Sequence, residues 1–307
     1  MSRDSYGLDA LAAAGLSAGD VLGSGVEGTA FDQRDGTVAK VWRHRPRADL
    51  VRLRAFYDAV SSAKSTVATP RVIDLLEVEN VLITIEERLI GNPVWVADGT
   101  SPDLSTSQVD VLIEALAVLS DIPGVPEMST LPVLTDEDPF TSAETFEHQL
   151  ASLASRRVER FNRQMRTAIP DLDSLLAGTV TSLHGLSPAE PRLVHGDLIA
   201  ANVLAVNGRA TAIVDFGFLT TVGDPAFDAA VAASCFDMWG PKGLHVERAL
   251  DDAVIGVFGY DPQRLATYRA AYGLVTACCF GDDLSEGHFA WCVAKMERPD
   301  VRQAIQV

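Results

Sequence analysis

The chain has 307 residues, enough for about two domains, and its 47% hydrophobic residues support a sizeable buried core. It contains no apolar run of membrane-spanning length and no signal-peptide pattern at its start, so we expect a cytoplasmic protein without a membrane partner. The net charge of −17 makes nucleic acid and anionic membranes poor partners.

A glycine-rich loop near the amino terminus has the pattern Gly-x-Gly-x-x-Gly. Its candidate nucleotide-binding residues are Gly23, Ser24, Gly25 and Gly28. Glycines allow the backbone to approach a phosphate closely, with amide N–H groups as donors. Dinucleotide-binding folds share this pattern, but there a helix begins at the loop. Here two short strands follow, at 29–33 and 37–42. This order predicts a kinase-type lid over phosphates and argues against a nicotinamide-dependent oxidoreductase.

The next elements are a predicted helix at 47–63 and a predicted strand at 80–85. Most of the later chain predicts helices, which we place at 105–119, 139–167, 171–184, 228–239, 245–258 and 262–280. The helix at 139–167 has a basic face formed by Arg156, Arg157, Arg160, Arg163 and Arg166. In so acidic a chain, this face indicates ion pairing rather than nucleic-acid binding.

The strongest functional pattern is the segment from His195 to Asn202, His-Gly-Asp-Leu-Ile-Ala-Ala-Asn, followed by Asp215-Phe-Gly. An Asp, an Asn five residues later and a second Asp before Phe-Gly are the side chains of a phosphoryl-transfer site. Asp197 is the candidate catalytic base for an attacking hydroxyl. Asn202 and Asp215 are the candidate Mg²⁺ ligands, because magnesium prefers hard oxygen donors. Each residue alone fits an ordinary loop role, but the combination favours the site.

A predicted hairpin brings the two candidate metal ligands together. The strand at 203–206 follows Asn202, and the strand at 211–214 precedes Asp215. The Asn-Gly pair at 207–208 predicts a type I′ turn between these strands. The hairpin therefore places both ligands at the same end.

The segment from Leu193 to Asp228 resembles the aminoglycoside phosphotransferase family and its choline kinase-like and homoserine kinase-like relatives. The resemblance rests on His-Gly-Asp-x4-Asn, Ile-Val-Asp-Phe-Gly and the later Gly-Asp-Pro-Ala-Phe-Asp element. It implies an α+β, protein-kinase-like fold with two lobes. Residues 1–90 would form a small β-rich nucleotide-binding lobe, and residues 91–307 a larger, mostly helical catalytic and acceptor-binding lobe. It also implies Mg²⁺ and ATP or GTP as cofactors.

The resemblance gives Lys40 a role, since family members use a lysine on this strand to contact the α- and β-phosphates. A Glu from the following helix usually holds that lysine. Here no Glu occurs between Glu27 and Glu77. Asp58 is the better placed acid of the predicted helix, although its side chain is one methylene shorter.

The resemblance also identifies the segment from Glu86 to Gly91 as the hinge between the lobes, where backbone groups contact adenine. Glu86 and Arg88 are therefore further candidate nucleotide-binding residues. For Glu86 and Glu87, exposure to solvent at the end of the strand is an equally good interpretation.

Negative charge is concentrated in the predicted second lobe. Residues 1–90 contain 11 Lys and Arg against 13 Asp and Glu, whereas residues 91–307 contain 14 against 29, a net charge of −15. Such a lobe would attract a cationic acceptor, but acidity that only maintains solubility explains it equally well. The acids Asp282, Asp283 and Glu286 either line an acceptor pocket or form ordinary surface.

We therefore predict an ATP- or GTP-dependent O-phosphotransferase acting on a hydroxyl of a small molecule. Inactivation of an aminoglycoside, peptide or nucleoside antibiotic is one option, and a metabolic kinase of amino alcohols, amino acids or sugars is the alternative. A protein kinase is less favoured, because Gly196 replaces the usual Arg and only five residues separate Gly217 from Gly223. A nucleotide-binding pseudoenzyme is disfavoured because no catalytic residue is missing.

Overall fold

The amino-terminal part of the protein is an antiparallel sheet with helices against it. The computed structural model describes residues 3–25, 27–43, 45–63, 65–96, 104–141 and 143–306. The sheet has five strands in the order β1-β2-β3-β5-β4. They are β1 (Val21–Ser24), β2 (Gly28–Asp32), β3 (Thr37–Trp42), β4 (Val72–Val78) and β5 (Val81–Glu87). Helix α1 (Arg3–Ala13) precedes the sheet, and helix α2 (Arg47–Ser62) lies between β3 and β4.

The two faces of this sheet have different partners. Ala39 and Val41 on β3 belong to a small apolar cluster that includes Leu11 of α1. Because side chains alternate along a strand, Lys40 and Trp42 lie on the opposite face. Trp42 belongs to the main core of the protein.

Helix α2 packs against that second face through residues at helical spacing. Its buried side chains are Leu50, Leu53, Phe56, Tyr57 and Val60. Positions three and four apart form one apolar stripe, which explains why this segment is a helix with one packed face.

The larger part of the chain is mostly helical. Its helices are α3 (Thr106–Asp121), α4 (Phe146–Arg160), α5 (Asn162–Ala168), α6 (Leu172–Gly185), α7 (Ala226–Cys235), α8 (Gly243–Phe258), α9 (Pro262–Thr276), α10 (Gly287–Met296) and α11 (Pro299–Ala304). Its strands are β6 (Asn92–Pro93), β7 (Arg192–Val194), β8 (Val203–Val206), β9 (Arg209–Ile213) and β10 (Thr221–Gly223). The predicted α+β fold with a β-rich first part and a helical second part is confirmed. None of the described helices is long and apolar enough to cross a membrane.

The predicted hairpin is confirmed in its turn type. Strands β8 and β9 pair antiparallel, with Val206 opposite Arg209. Asn207 and Gly208 between them have φ values of 51° and 75°. Two positive φ angles in a two-residue loop define the type I′ turn that matches the twist of the strands.

The predicted helix at 139–167 is wrong in its extent. Thr145 caps α4 by accepting a hydrogen bond from the His148 amide, and the backbone leaves helical geometry at Phe161, so that α4 and α5 are separate helices. The basic face is ion-paired, as expected from the acidity of the chain. Its observed pairs are Arg156–Glu137, Arg157–Asp136, Arg160–Asp136 and Arg166–Asp173.

Candidate active site

The candidate catalytic loop after β7 is fixed by hydrogen bonds to its backbone. The amides of His195 and Gly196 donate to the two carboxylate oxygens of Asp228, at 2.7 and 2.8 Å. The His195 ring forms two hydrogen bonds. Its Nδ1 accepts from the Asp197 amide at 3.2 Å, and its Nε2 lies 2.9 Å from the Val214 carbonyl oxygen. Burial lowers the pKa of His195 to about 4, so the ring is neutral and its Nε2 carries the proton. His195 therefore braces the loop.

Gly196 is required by this geometry. Its φ is +85°, a conformation that other residues rarely adopt. A Cβ at this position would lie 2.4 Å from the carbonyl oxygen of Phe218 and 2.4 Å from the carbonyl carbon of Leu219. Since both contacts are to backbone, no side-chain movement relieves them. The loop therefore packs directly against the segment that follows Asp215.

Asp197 lies in surroundings that make it a better base than an ordinary carboxylate. Burial, together with the negative charges of Asp215, Asp228 and Glu27, raises the pKa of Asp197 to about 7. A proton acceptor is most effective when its pKa is close to the working pH.

Asn202 and Asp215 lie at the same end of the hairpin, as predicted. The Asn202 side-chain amide donates to the Asp197 carbonyl at 2.9 Å, which leaves its Oδ1 as a potential cation ligand. The Val214 amide donates to the Asn202 carbonyl at 2.9 Å. Asp215 has a φ of 64°, a strained conformation for a residue other than glycine. Its Oδ1 contacts Lys40 Nζ at 2.8 Å.

The charge of Lys40 explains the state of Asp215. The charge of the nearby Lys40 ammonium lowers the pKa of Asp215. Asp215 is therefore ionised, as a magnesium ligand must be. The two oxygens that Asn202 and Asp215 provide are hard donors of the kind that Mg²⁺ requires, and they leave most of its coordination sphere for other oxygens. The described residues contain no cluster of three His, Cys, Asp or Glu side chains that could hold a metal by itself.

The residues after Asp215 lock this segment onto helix α2. The Phe216 ring lies 4.4 Å from His195, 5.4 Å from Phe56 and 6.1 Å from Tyr57, measured between ring centroids. Thr220 Oγ1 accepts from the Gly217 amide at 2.7 Å and donates to the His195 carbonyl at 2.6 Å. The catalytic loop and the Asp-Phe-Gly segment are thus one hydrogen-bonded unit.

The glycine-rich loop is open where a phosphate could approach. A Cβ on Gly28 would lie 2.3 Å from the Val41 carbonyl oxygen, so packing requires glycine there. At Gly23 and Gly25 no atom lies within 4 Å of the Cβ position. The space beside these two glycines is therefore available for a ligand. The Ser24 hydroxyl between them forms a hydrogen bond with the Thr29 hydroxyl at 3.0 Å.

Two arginines that sequence reasoning missed hold this loop. Arg43 donates to the Gly25 carbonyl at 2.7 Å. Arg45 pairs with Glu27 at 2.5 Å, and its guanidinium would lie 3.1 Å from a Cβ on Gly217. Arg45 therefore connects the glycine-rich loop to the Asp-Phe-Gly segment. No motif marks these residues, because their partners are distant in sequence or are backbone groups.

The structure contradicts the expected pairing of Asp58 with Lys40. The packed face of α2 contains Tyr57, and the next residue, Asp58, points to solvent. Arg88 has partners on the same sheet: its side chain pairs with Asp32, and its amide donates to the Gly36 carbonyl at 3.0 Å. These contacts tie Arg88 to the β2–β3 turn.

Glu86 is brought close to Lys40, not placed at a solvated strand end. Burial raises the pKa of Glu86, and the Lys40 charge and a hydrogen bond from Thr84 act in the opposite direction. The Thr84 hydroxyl donates to Glu86 at 2.6 Å.

Comparison with known proteins agrees with this geometry. The model of the phosphotransferase enzyme family, APH, matches residues 20–273. The chain belongs to this family. It is a phosphotransferase with an alcohol group as acceptor. A comparison with curated proteins found no match.

Solved structures of aminoglycoside phosphotransferases share the fold of this family member. A thermostable mutant of APH(4)-Ia, bound to ADP and hygromycin B, is 20% identical over 98% of both chains, with a TM-score of 0.68. The GDP complex of aminoglycoside 2'-phosphotransferase-IIIa is 16% identical over 99% of both chains, with a TM-score of 0.61. APH(3'')-Id from Streptomyces rimosus is 19% identical over 90% of this chain and 99% of its own, with a TM-score of 0.54.

Proposed function

We propose that this phosphotransferase uses ATP or GTP with Mg²⁺ to phosphorylate a hydroxyl group of a small cationic molecule in the cytoplasm. The observation that carries the proposal is the convergence of four side chains in one cleft. Lys40 contacts Asp215 at 2.8 Å, and Asn202 is bonded to the main chain of Asp197 at 2.9 Å. We place the division between nucleotide-binding and acceptor-binding lobes at residues 90 and 91, just beyond β5.

Each of these residues has one role in the proposed reaction. Asp197 accepts the proton of the acceptor hydroxyl. The hydroxyl oxygen forms a bond to the γ-phosphorus while the bond from that phosphorus to the leaving diphosphate breaks. Lys40 contacts the α- and β-phosphates. Asn202 and Asp215 hold Mg²⁺, which when bound neutralises charge on the phosphate oxygens. The glycine-rich loop covers the phosphates with its amides.

The acceptor side of the cleft favours a compact molecule. After Gly217 the chain returns at once to the sheet, because β10 pairs antiparallel with β7 and Thr221 lies opposite Val194. The intervening residues have no room for the long activation segment on which a protein kinase binds its peptide. This observation favours a small-molecule acceptor over a protein substrate.

Aromatic side chains are exposed on this side of the catalytic loop. The Phe218 backbone packs against Gly196, and the Phe218 ring is stacked on Phe280 with centroids 6.0 Å apart. Phe280 is 50% exposed, and Trp239, also 46% exposed, lies close to Gly287 at the start of α10. Exposed aromatic faces pack against the apolar C–H groups of sugar rings, and they bind ammonium groups by cation–π attraction. Both contacts suit an amino-sugar or amino-alcohol acceptor.

The acids near α10 support local structure. Glu286 caps the helix, Asp283 accepts hydrogen bonds from Ser285, and Asp282 accepts one from Gln164 at 3.0 Å. This supports the interpretation of these acids as ordinary surface. Attraction of a cation then comes from the −15 net charge of residues 91–307 as a whole.

Antibiotic inactivation is the first acceptor class to test, and a metabolic kinase of amino alcohols, amino acids or sugars is the second. Proteins of similar fold have been solved with hygromycin B and with streptomycin. The test measures Mg-ATP and Mg-GTP consumption with a panel of aminoglycoside, peptide and nucleoside antibiotics and of hydroxylated metabolites, with Asp197→Asn as the blank. Turnover with a small hydroxylated cation supports the proposal. Turnover only with protein Ser or Thr side chains contradicts it.

Ionic strength tests the charge of the acceptor separately. Attraction between charges is screened over about 10 Å at 0.1 M salt. The KM of a cationic acceptor should therefore rise with salt more than the KM of Mg-ATP. A salt-independent KM for a neutral or anionic acceptor would remove the cation from the proposal and leave the kinase assignment in place.

The metal site is tested by Asp215→Ala. The variant should lose magnesium-dependent ATP binding in calorimetry with and without Mg²⁺, because the ionised ligand of the site is gone. Asp58→Ala, on the exposed face of α2, is the matched control. Unchanged magnesium-dependent affinity in Asp215→Ala would contradict the assignment.

A further inference from the structure

The helix that follows β3 offers no carboxylate to Lys40. Helix α2 has two acids: Asp49 pairs with Arg52 at 3.0 Å, and Asp58 is exposed. Where the helix faces the cleft it presents Tyr57, which is buried. The group that holds Lys40 must therefore come from another element.

Asp215 cannot fill this role throughout the reaction. Among the described residues it is the one acid within ion-pair distance of Lys40. If Asp215 ligates Mg²⁺, as proposed above, most of its charge is engaged by the metal. Lys40 then needs a second carboxylate to keep its ammonium directed at the phosphates.

Glu86 lies where such a carboxylate is needed. In the β3–β5 ladder Lys40 is directly opposite Thr84, and Val38 is opposite Glu86. Residues two apart on a strand point to the same face, so Glu86 is a diagonal neighbour of Lys40 on the cleft side of the sheet. Diagonal neighbours are within reach of long side chains.

A short hydrogen-bonded chain orients Glu86. Trp42 Nε1 donates to Thr84 Oγ1 at 2.9 Å, and Thr84 Oγ1 donates to Glu86 Oε1 at 2.6 Å. Thr84 is fully buried and Trp42 nearly so. The Lys40 ammonium in turn lies 4.3 Å from the centroid of the Trp42 ring. These contacts link four side chains on two neighbouring strands in series, from Lys40 through Trp42 and Thr84 to Glu86.

We propose that Glu86, on strand β5, is the positioning residue for Lys40 in place of a glutamate from the helix. Trp42 and Thr84 fix the orientation of the Glu86 side chain. The inference rests on the proposed function, because it assumes that Lys40 contacts nucleotide phosphates. It replaces the expectation that Glu86 contacts the nucleotide base. The role is electrostatic, so it requires the charge of Glu86 and not only its shape.

The test compares Glu86→Gln with its neighbour Glu87→Gln. The first variant keeps the volume and the hydrogen bond from Thr84 but removes the charge. Glu87 points to the other face, is exposed and pairs with Arg71 at 2.6 Å. We expect Glu86→Gln to weaken Mg-ATP and Mg-GTP binding by about tenfold and equally, as measured by calorimetry, with Glu86→Asp intermediate. Glu87→Gln should stay within about twofold of the unaltered protein.

A double-mutant cycle with Lys40→Ala makes the assignment specific. In the Lys40→Ala background, Glu86→Gln should cause no further loss, because the group that it positions is gone. Full additivity of the two changes, or affinity unaffected by Glu86→Gln, overturns the inference. A change in the ratio of ATP to GTP affinity also overturns it and assigns Glu86 to the base. If Lys40→Ala itself leaves binding unchanged, the proposed nucleotide site fails instead.

Discussion

The proposed catalytic segment and the glycine-rich loop are held in different ways. Residues 193–228 are bound together by main-chain hydrogen bonds to Asp228, Thr220 and His195, and most of these groups are buried. Strand β1 of the glycine-rich loop is exposed along its whole length. Its loop is held by the side chains of Arg43 and Arg45.

This difference separates two physical requirements of phosphoryl transfer. Groups that act on developing charge need preorganised positions, which buried hydrogen bonds provide. A loop that covers a nucleotide must open for exchange of substrate and product, which a few exposed side-chain contacts permit. The following predictions test the comparison, from the largest expected effect to the smallest.

Adding one methyl group to the proposed catalytic loop should strongly destabilise the folded protein. Gly196→Ala introduces a Cβ 2.4 Å from backbone atoms at a φ of +85°, so we expect a loss of about 3 kcal/mol or more in the free energy of unfolding. Gly256→Ala is the matched control, since its Cβ would meet nothing within 4 Å on helix α8. It should stabilise by up to about 1 kcal/mol. Denaturant unfolding measures both, and equal stability of the two variants would refute the packing argument.

Removing the proposed base, Asp197, should affect turnover but not nucleotide binding. Asp197→Asn should lower kcat by at least about 100-fold, equivalent to about 2.7 kcal/mol, while Mg-ATP affinity is retained. The amide cannot accept the hydroxyl proton, yet it preserves the shape of the loop. Steady-state kinetics and calorimetry separate the two quantities. Near-normal turnover would exclude Asp197 from proton transfer.

The raised pKa of Asp197 also predicts how stability depends on pH. Burial raises this pKa to about 7 from an ordinary value of 3.8, so between these values the folded state binds more protons than the unfolded state. The free energy of unfolding without nucleotide should therefore fall as pH rises from about 4 to 7, by at most about 1.4 kcal/mol per pH unit from this group. The contribution is constant above that range.

Asp197→Asn should flatten this pH dependence and be more stable than the unaltered protein at pH 8. Thermal unfolding at pH 5 and pH 8 provides the measurement, with Asp58→Asn on the exposed face of α2 as the control. Parallel pH curves for the Asp197→Asn variant and the unaltered protein would show that the carboxyl is not penalised by burial.

The glycine-rich loop should tolerate substitution better. Arg43→Ala removes a 2.7 Å hydrogen bond to the Gly25 carbonyl, and we expect the KM of Mg-ATP to rise about fivefold, the equivalent of about 1 kcal/mol, with kcat nearly unchanged. Arg52→Ala, which loses only an exposed pair with Asp49, is the control and should have no effect. A kcat loss as large as that of Asp197→Asn would show that the loop is as preorganised as the catalytic segment.

The accuracy of sequence-based prediction also differed between regions. Strand β3 has the predicted bounds of 37–42, and the type I′ turn lies at 207–208 as expected. Strand β4 was missed because it is a partly exposed edge strand without apolar alternation. The break at Phe161 was missed because the amphipathic pattern continues through it from α4 into α5.

For the candidate site, the sequence alone determined which chemical groups are present and how the catalytic segment brings them together. Asp197, Asn202 and Asp215 lie within 19 residues, and a tight turn decides their relative positions by local geometry. Only the tertiary structure decided what surrounds Lys40. Its ion-pair partner lies 175 residues away, and Glu86 reaches its side of the sheet through strand register. Contacts over such separations depend on packing of whole elements, which no local pattern of residues encodes.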